Sequence, residues 1–352
     1  MCIRDRDGSV DLGVIVVPNA ELAEYLTDRC PNLRETERAI TEDMRVSHLP
    51  LVVVAIEHDG PSDTPLPKKK VSIIAHGRQH PDEVLISIET FGKFDPDVYL
   101  LNLVNGEQEL VQENDGSLAY FADNDLKLRL SVSFNTEGGL DFFRFGPKGK
   151  GELFYQVTAE DMPALLSAVY QKVIRFDPEN MKLYLYDANG RDKAALVSLD
   201  MESGKSELIA QDDRVDIGGV LYHPVDYSVQ AYATNWTRTT WNVTDESIAE
   251  DFKVLNNLHE GDWQVESRSD DLNIWVVRYM AANKPITFYK FDRASKTGER
   301  MFSSTPQLEG LKLSDMHPYV LTTDDGFDLV SYITLPPWTD PDNDGRPDEP
   351  VP

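Results

Sequence analysis

The stretch Lys182 to Ala210 reads as three short strands joined by two tight turns, and the outer half of that layout recurs at three other places in the chain. In KLYLYDANGRDKAALVSLDMESGKSELIA, Leu183 to Tyr186 alternates aliphatic and aromatic side chains as a strand with one buried face requires, and Asn189-Gly190 offers φ > 0 for a tight turn. Ala195 to Leu199 and Ser206 to Ile209 supply the next two strands, on either side of Glu202-Ser203-Gly204. The same succession of apolar strand, glycine-bearing turn and shorter apolar strand occurs in DVYLLNLVNGEQELVQ at Gly106, LDFFRFGPKGKGELFYQV at Gly151 and ITFYKFDRASKTGERMF at Gly298. These four glycines are separated by 45, 53 and 94 residues, the last interval being two units of 47. A strand-built period of about 40–50 residues is the signature of propeller blades, whereas a β-sandwich spaces its strands without a shared long period. The expected fold is therefore all-β, a β-propeller of about six recognisable four-stranded blades when the run before residue 70 is counted as one.

Charge narrows the partners. The chain has 352 residues, with 61 acidic against 34 basic and a net charge of −27, which excludes nucleic acid and anionic lipid as natural surfaces for it. The acidic excess is spread through the loops and reads as a solvated surface. No window reaches the roughly 20 apolar residues of a membrane span. Cys2 and Cys30, the two cysteines, are too few for a disulfide framework. The opening MCIRDR has no apolar segment, and residues 1–9 are read as a leader outside the fold, so that cytoplasmic and periplasmic locations both stay open.

Along the chain, Val10 to Val17 is an apolar run, and two short helices, one from Asn19 through Thr27 and one over Arg34 to Met44, precede a strand at Leu51 to Ile56. A solvated loop with Pro61, Pro65 and Pro67 runs from Asp59 to Lys70. Strand signals then follow closely, interrupted by a brief helix at Glu160 to Tyr170 that Thr158 can cap, and by a clearer one at Asp245 to Leu258, where Ile248, Phe252, Leu255 and Leu258 lie at helical spacing. The last blade ends near Ser304. The expected division is a propeller over 10–310, a hairpin over 311–337 and a disordered acidic tail over 338–352.

That hairpin, LKLSDMHPYVLTTDDGFDLVSYITLPP, has strands at Tyr319 to Thr322 and Leu329 to Leu335 around Asp324-Asp325-Gly326. Here the chain resembles the prolyl oligopeptidase family of serine peptidases, in its acylaminoacyl-peptidase-like branch. In that family a propeller is followed by a hairpin of this form, which opens an α/β-hydrolase domain. The resemblance extends back through VLISIETFGKFDPDVYLLNLVNGE and MKLYLYDANGRDKAALVSLDMESGKSELIAQDDRVDIGGVLYHP, and so covers Val71 to Pro337. It implies a parent enzyme that attacks peptide or acylpeptide bonds with a Ser-His-Asp triad, a propeller that gates substrate by size, and seven blades in the intact protein. It also implies two partners, a peptide substrate and the hydrolase domain, and no cofactor. The chain departs from the family after Pro337. No G-x-S-x-G occurs, so the strained turn that exposes a nucleophilic serine is lacking, and no catalytic, cofactor-binding or metal residue is assigned. The 352-residue chain is expected to be a catalytically inactive fragment that ends before the hydrolase domain. The other reading is a free-standing propeller that binds a protein or glycan without chemistry.

Four smaller constellations carry weaker chemistry. Asp340, Asp342, Asp344 and Gly345 form the D-x-D-x-D-G half of an EF-hand-like calcium loop, but position twelve is Val351 and not a bidentate glutamate, and Pro341 and Pro347 favour a linker. His76 and His80 have the i, i+4 spacing of zinc ligands on a helix, yet Gly77, Pro81 and the preceding VSIIA predict a turn. Asn235-Trp-Thr237 and Asn242-Val-Thr244 match the glycosylation triplet. Tyr232, Trp236 and Trp241 either line a substrate path or pack in the core, and core packing is favoured. No Glu-Glu pair occurs, so the helix glutamates with which some family members hold a substrate amine have no counterpart.

Overall fold

The computed structural model describes residues 2–4, 11–13, 54–55, 69–77, 79–90, 93, 95–171 and 173–348. The helices expected before residue 50 lie outside these residues. In that part of the chain three strands, β1 (Cys2–Arg4), β2 (Asp11–Gly13) and β3 (Val54–Ala55), pair as one small sheet. The chain divides into two compact units, one of residues 1–211 and 224–227, the other of residues 212–223 and 228–352.

The first unit holds three four-stranded antiparallel meanders. They are β4 (Lys69–Gly77), β5 (His80–Thr90), β6 (Asp97–Asn102) and β7 (Gln108–Gln112); β8 (Ala119–Ala122), β9 (Leu128–Phe134), β10 (Leu140–Gly146) and β11 (Gly149–Val157); and β12 (Arg175–Phe176), β13 (Lys182–Asp187), β14 (Ala195–Asp200) and β15 (Ser206–Ala210). The second unit holds the three-stranded sheet β16 (Ile217–Tyr222), β17 (Val229–Asn235), β18 (Thr239–Val243) and the four-stranded sheet β19 (Asp262–Arg268), β20 (Ile274–Ala281), β21 (Lys284–Asp292), β22 (Thr297–Ser303). These five meanders are propeller blades, and the fold is an all-β propeller. The sixth unit counted from the sequence falls on residues 1–68, most of which are outside the described set.

Burial is graded across each blade, and that gradient explains the sequence pattern. Ala195 to Leu199 of β14 is buried on both faces, so it reads as a continuous apolar run, whereas the outermost β7 and β15 are exposed along most of their length. Leu130, Val132, Leu140 and Phe142 of the second blade form one cluster with Leu183, Leu185, Val197 and Leu199 of the third. In the other unit, Leu221 and Ala231 pack with Trp263, Trp275, Val277 and Phe291.

The outer turns carry the repeat. Gly106 and Gly204 have φ of 77° and 71°, and in each case their amide donates to the carbonyl four residues earlier, on Asn102 and Asp200. The side chains of Asn102 and Asp200 accept from amides inside the loop, Val104 and Asn105 in one and Ser203 in the other. The equivalent turn of the fifth blade starts at Asp292, which accepts from the Ala294 and Ser295 amides, and its left-handed residue is Lys296 at φ 57°. Gly298, expected at this place, lies two residues further on in β22, and Gly151 likewise lies inside β11, past a two-residue turn that ends at Gly149. All four glycines are in the outer hairpin of a blade, but only Gly106 and Gly204 shape the turn.

Two helices interrupt the blades. α1 (Met162–Tyr170) follows β11, with Asp161 at its N-cap and Thr158 bonded to Asp161. After β18, the last strand of the three-stranded fourth blade, a 3-10 turn, Glu246–Ile248, capped by Asp245, leads into α2 (Ala249–Leu258). Its Phe252 and Leu255 are buried against Trp241 and Trp263. Among the described residues no helix is long and apolar enough to cross a membrane.

Candidate functional site

After the last blade the chain forms the hairpin expected from its sequence. β23 (Met316–Thr322) pairs with β24 (Asp328–Thr334) from Met316 opposite Thr334 to Thr322 opposite Asp328. Its turn closes through the Thr323 amide on the Phe327 carbonyl and the Gly326 amide on the Thr323 carbonyl, with Gly326 at φ 88°. Among the described residues neither strand pairs with a third. A two-stranded hairpin is marginal in water unless something covers one face, yet Leu321 is 56% exposed, Phe327 66% and the following Trp338 81%. Val320, Leu329, Tyr332 and Ile333 are also exposed. Together these side chains form an extended apolar surface that nothing among the described residues covers.

Polar tethers link the hairpin to the blades. The Tyr332 hydroxyl donates to the Thr237 carbonyl, 2.9 Å away, in the β17–β18 turn. Asp315, just before β23, accepts from the side-chain amides of Asn283 in the β20–β21 turn and of Asn343 in the acidic loop.

That loop, read from its prolines as a disordered linker, is folded against β23. The Asp340 carboxylate is nearly buried and accepts from the Asp344 and Gly345 amides, both at 3.0 Å. Tyr319 donates to the Gly345 carbonyl at 2.7 Å, and His317 Nε2 lies 3.3 Å from Asn343 Oδ1 and 3.8 Å from Asp340 Oδ2. A carboxylate oxygen from each of Asp340, Asp342 and Asp344 falls within 4.8 Å of the other two, a donor set of the hard-oxygen kind that calcium takes. Both Asp340 oxygens are already engaged by backbone amides, and Val351 is outside the described residues. The geometry is accounted for by the loop's own hydrogen bonds.

The remaining candidates separate. His76 and His80 flank a β-turn, with Gly77 opposite His80, so they share no helix face, and His80 lies 3.6 Å from Glu83. Trp241 belongs to the core and donates from Nε1 to the Trp263 carbonyl, whereas Trp236 lies in the turn with the Arg214 guanidinium 5.5 Å over its ring. Tyr232, one register position from Trp241, faces the opposite side of β17. Asn235 is exposed at the end of β17 and Asn242 is half-buried in β18. Ser203 donates to Asp200 in its turn and Ser198 is buried in β14, so neither is placed as a nucleophile. Sequence reasoning missed the cleft beside Tyr155 and Asp187, residues 32 apart that no spacing rule connects.

A family model for the restriction endonuclease BamHI matches residues 1–79, under a quarter of the chain and a stretch of which few residues are described. Two curated relatives are similar over the propeller. Dipeptidyl aminopeptidase BIII of Pseudoxanthomonas mexicana is 34% identical over 294 residues, which cover 82% of this chain and 41% of the relative. Dipeptidyl peptidase family member 6 of Caenorhabditis elegans is 26% identical over 244 residues, covering 68% of this chain and 33% of the relative. The chain thus spans less than half the length of the curated relatives it matches. Among solved structures, a puromycin hydrolase superposes with a TM-score of 0.51 at 10% identity, covering 82% of this chain and 46% of that one, and this likeness concerns the fold. By sequence and by fold, this propeller belongs to the prolyl oligopeptidase family of peptidases.

Proposed function

We propose that this chain is the substrate-gating propeller of a serine peptidase, and that β23 and β24 open the α/β-hydrolase domain that carries its Ser-His-Asp triad. The propeller admits short or unfolded peptides by size, and the triad, in residues that follow Pro352 in the parent, cleaves peptide or acylpeptide bonds. The observation that carries this reading is the hairpin. It stands after the last blade, pairs with no third strand among the described residues, and leaves Leu321, Phe327 and Leu329 exposed on a marginal two-stranded element that needs a cover. A free-standing propeller has no use for such an element. The relatives that match by sequence are named dipeptidyl aminopeptidase and dipeptidyl peptidase and are more than twice as long as the matched part, which agrees.

In this division of labour the described residues supply no nucleophile, and the 352-residue chain alone hydrolyses nothing. The test compares that chain with one extended by the residues encoded downstream. Both are assayed on chromogenic dipeptidyl and acylaminoacyl anilides and with a serine-directed fluorophosphonate label. The extended chain is expected to turn over substrate and to take one label, with the shorter chain silent. Labelling of a single serine in the 352-residue chain, abolished by its change to alanine, would overturn the assignment, as would an intact gene that stops at Pro352.

A further inference from the structure

We propose that Asn189 is a modification site at which the chain deamidates by attack of its own backbone, and that the fold protects the other Asn-Gly pair, Asn105-Gly106, from the same reaction. Asn-Gly occurs twice in the sequence, once in the β6–β7 turn and once in the loop between β13 and β14. All four residues are exposed, and nothing stands within 4 Å of where a Cβ would project from either glycine. Asparagine is a chemically labile residue, and glycine, having no Cβ, lets a neighbouring side chain close in on the backbone nitrogen. Residue type and access are therefore equal at the two sites. The hydrogen bonds are not.

In the β6–β7 turn both reacting groups are held. Asn105 Nδ2 donates to Glu107 Oε2 at 3.0 Å, Asn105 Oδ1 accepts from the Glu107 amide at 2.9 Å, and the Gly106 amide donates to the Asn102 carbonyl at 2.9 Å. A bonded amide gives up its proton only after its hydrogen bond opens, and the side chain must leave both its partners to reach that nitrogen. In the β13–β14 loop the flanking groups make the bonds instead. The Arg191 amide donates to the Ala188 carbonyl at 2.8 Å and the Asn189 amide to Asp187 Oδ1 at 3.1 Å. Among the described residues the Gly190 amide has no acceptor and the Asn189 side chain has no partner. Solvent hydroxide removes the Gly190 amide proton, and the nitrogen attacks Asn189 Cγ. That C–N bond forms as the Cγ–Nδ2 bond breaks, and Nδ2 leaves as ammonia with a proton from water. One water then adds to either carbonyl of the cyclic imide and breaks its bond to nitrogen, which yields aspartate or isoaspartate with no oxidation or reduction. The new carboxylate stands two residues past Asp187, whose Oδ1 also accepts from the Tyr155 hydroxyl of the second blade at 2.7 Å, so the added charge falls beside the contact between two blades.

The 352-residue chain is held in warm, mildly alkaline buffer, with and without denaturing urea, and samples are digested with pepsin at low pH, where the reaction is slow. Mass spectrometry of the fragments then gives the fraction converted at each asparagine. In the folded chain Asn189 is expected to convert about tenfold faster than Asn105 or more, the ratio that ~1.4 kcal/mol of barrier sets. In urea the two rates should converge, because the sequence Asn-Gly is the same at both. Glu107→Ala releases the Asn105 side chain from its carboxylate partner and is expected to accelerate conversion at Asn105 while leaving Asn189 unchanged. Equal rates at the two sites in the folded chain, no conversion at Asn189 while the unfolded chain converts, or a preference that persists undiminished in urea would each overturn the proposal. An unchanged rate at Asn105 in a folded Glu107→Ala variant would overturn the protection assigned to that turn.

Discussion

Asp251 and Lys296 lie 45 residues apart, and the ammonium of Lys296 donates to the carboxylate of Asp251, which is wholly buried in the first turn of α2. Arg293 reaches the other oxygen through Nε at 2.9 Å and also donates from Nη2 to the Ser247 carbonyl. One carboxylate therefore fastens the helix to the outer turn of the fifth blade. Asp251→Asn leaves two cations facing a neutral amide. Because Lys296 and Arg293 keep some access to water, we expect a loss of about 2–3 kcal/mol, just under the ~3–5 kcal/mol typical of broken buried pairs, read from urea midpoints.

Arg144 joins two blades of the first unit. Its guanidinium donates to the Met201 and Glu202 carbonyls at the outer turn of the third blade, lies 3.1 Å from Glu152, and stands 4.3 Å over the Phe154 ring. A lysine keeps the charge but not the fork. Arg144→Lys is expected to cost about 1–2 kcal/mol, close to the effect of Arg144→Ala, in thermal or chemical melts.

Gly345 is at φ 80°, and a Cβ there would fall 2.7 Å from His317 Cγ. Gly345→Ala is therefore expected to detach the acidic loop from β23, at a cost of about 1–2 kcal/mol for the left-handed backbone alone. Hydrogen exchange at the 339–346 amides should accelerate, while exchange in β14 stays unchanged. Equal exchange in the two proteins would refute the account of the loop.

His259 follows α2 and packs between Tyr279 and Tyr289, with the Tyr289 hydroxyl 3.3 Å from its Nδ1. Burial lowers its pKa, and the neighbouring Lys284 and Arg300 lower it further against an opposing effect of Glu260. The folded chain thus binds this proton more weakly than the unfolded one. Its contribution to stability is complete above the unfolded value of about 6.5 and is lost as pH falls from there through the depressed folded value. Denaturant midpoints for the wild type should drop between pH 7.5 and pH 5.5 by more than those of His259→Gln.

A net charge of −27 sets a further expectation. Self-repulsion among exposed carboxylates weakens the folded state at low ionic strength, and in about 1 M salt the screening length shrinks to roughly 3 Å. The melting temperature should rise with sodium chloride. A fall would show that surface ion pairs outweigh repulsion.

The strands and the final hairpin were legible because each rests on local information: alternation in β13, a doubly buried run in β14, Asp-Asp-Gly at the β23–β24 turn. The outer turns were half legible. Glycine is the usual marker of a left-handed residue, and it marked Gly106 and Gly204, but in the fifth blade Lys296 takes that conformation and Gly298 lies in the strand that follows. The cost of a lysine at φ 57° is offset where its ammonium meets Asp251, a contact invisible to any local pattern. The acidic loop failed for a related reason. Its prolines speak for disorder, and its order depends on His317 and Tyr319, more than twenty residues back in the chain. The Tyr155–Asp187 cleft joins two blades and had no sequence signal at all.

The fourth blade, three strands followed by α2, bears on how the chain finds its register. Hairpins of near-equal length can exchange partners while a repeat protein folds, and misassembly and swapping are characteristic failures of such chains. Beside β18 stands a helix carrying Phe252 and Leu255, fixed by one carboxylate to one arginine and one lysine, and no other blade among the described residues offers those groups. A hairpin from elsewhere in the chain would lack those contacts. Within its own unit, this irregular blade acts as an address from which the regular one beside it can be counted.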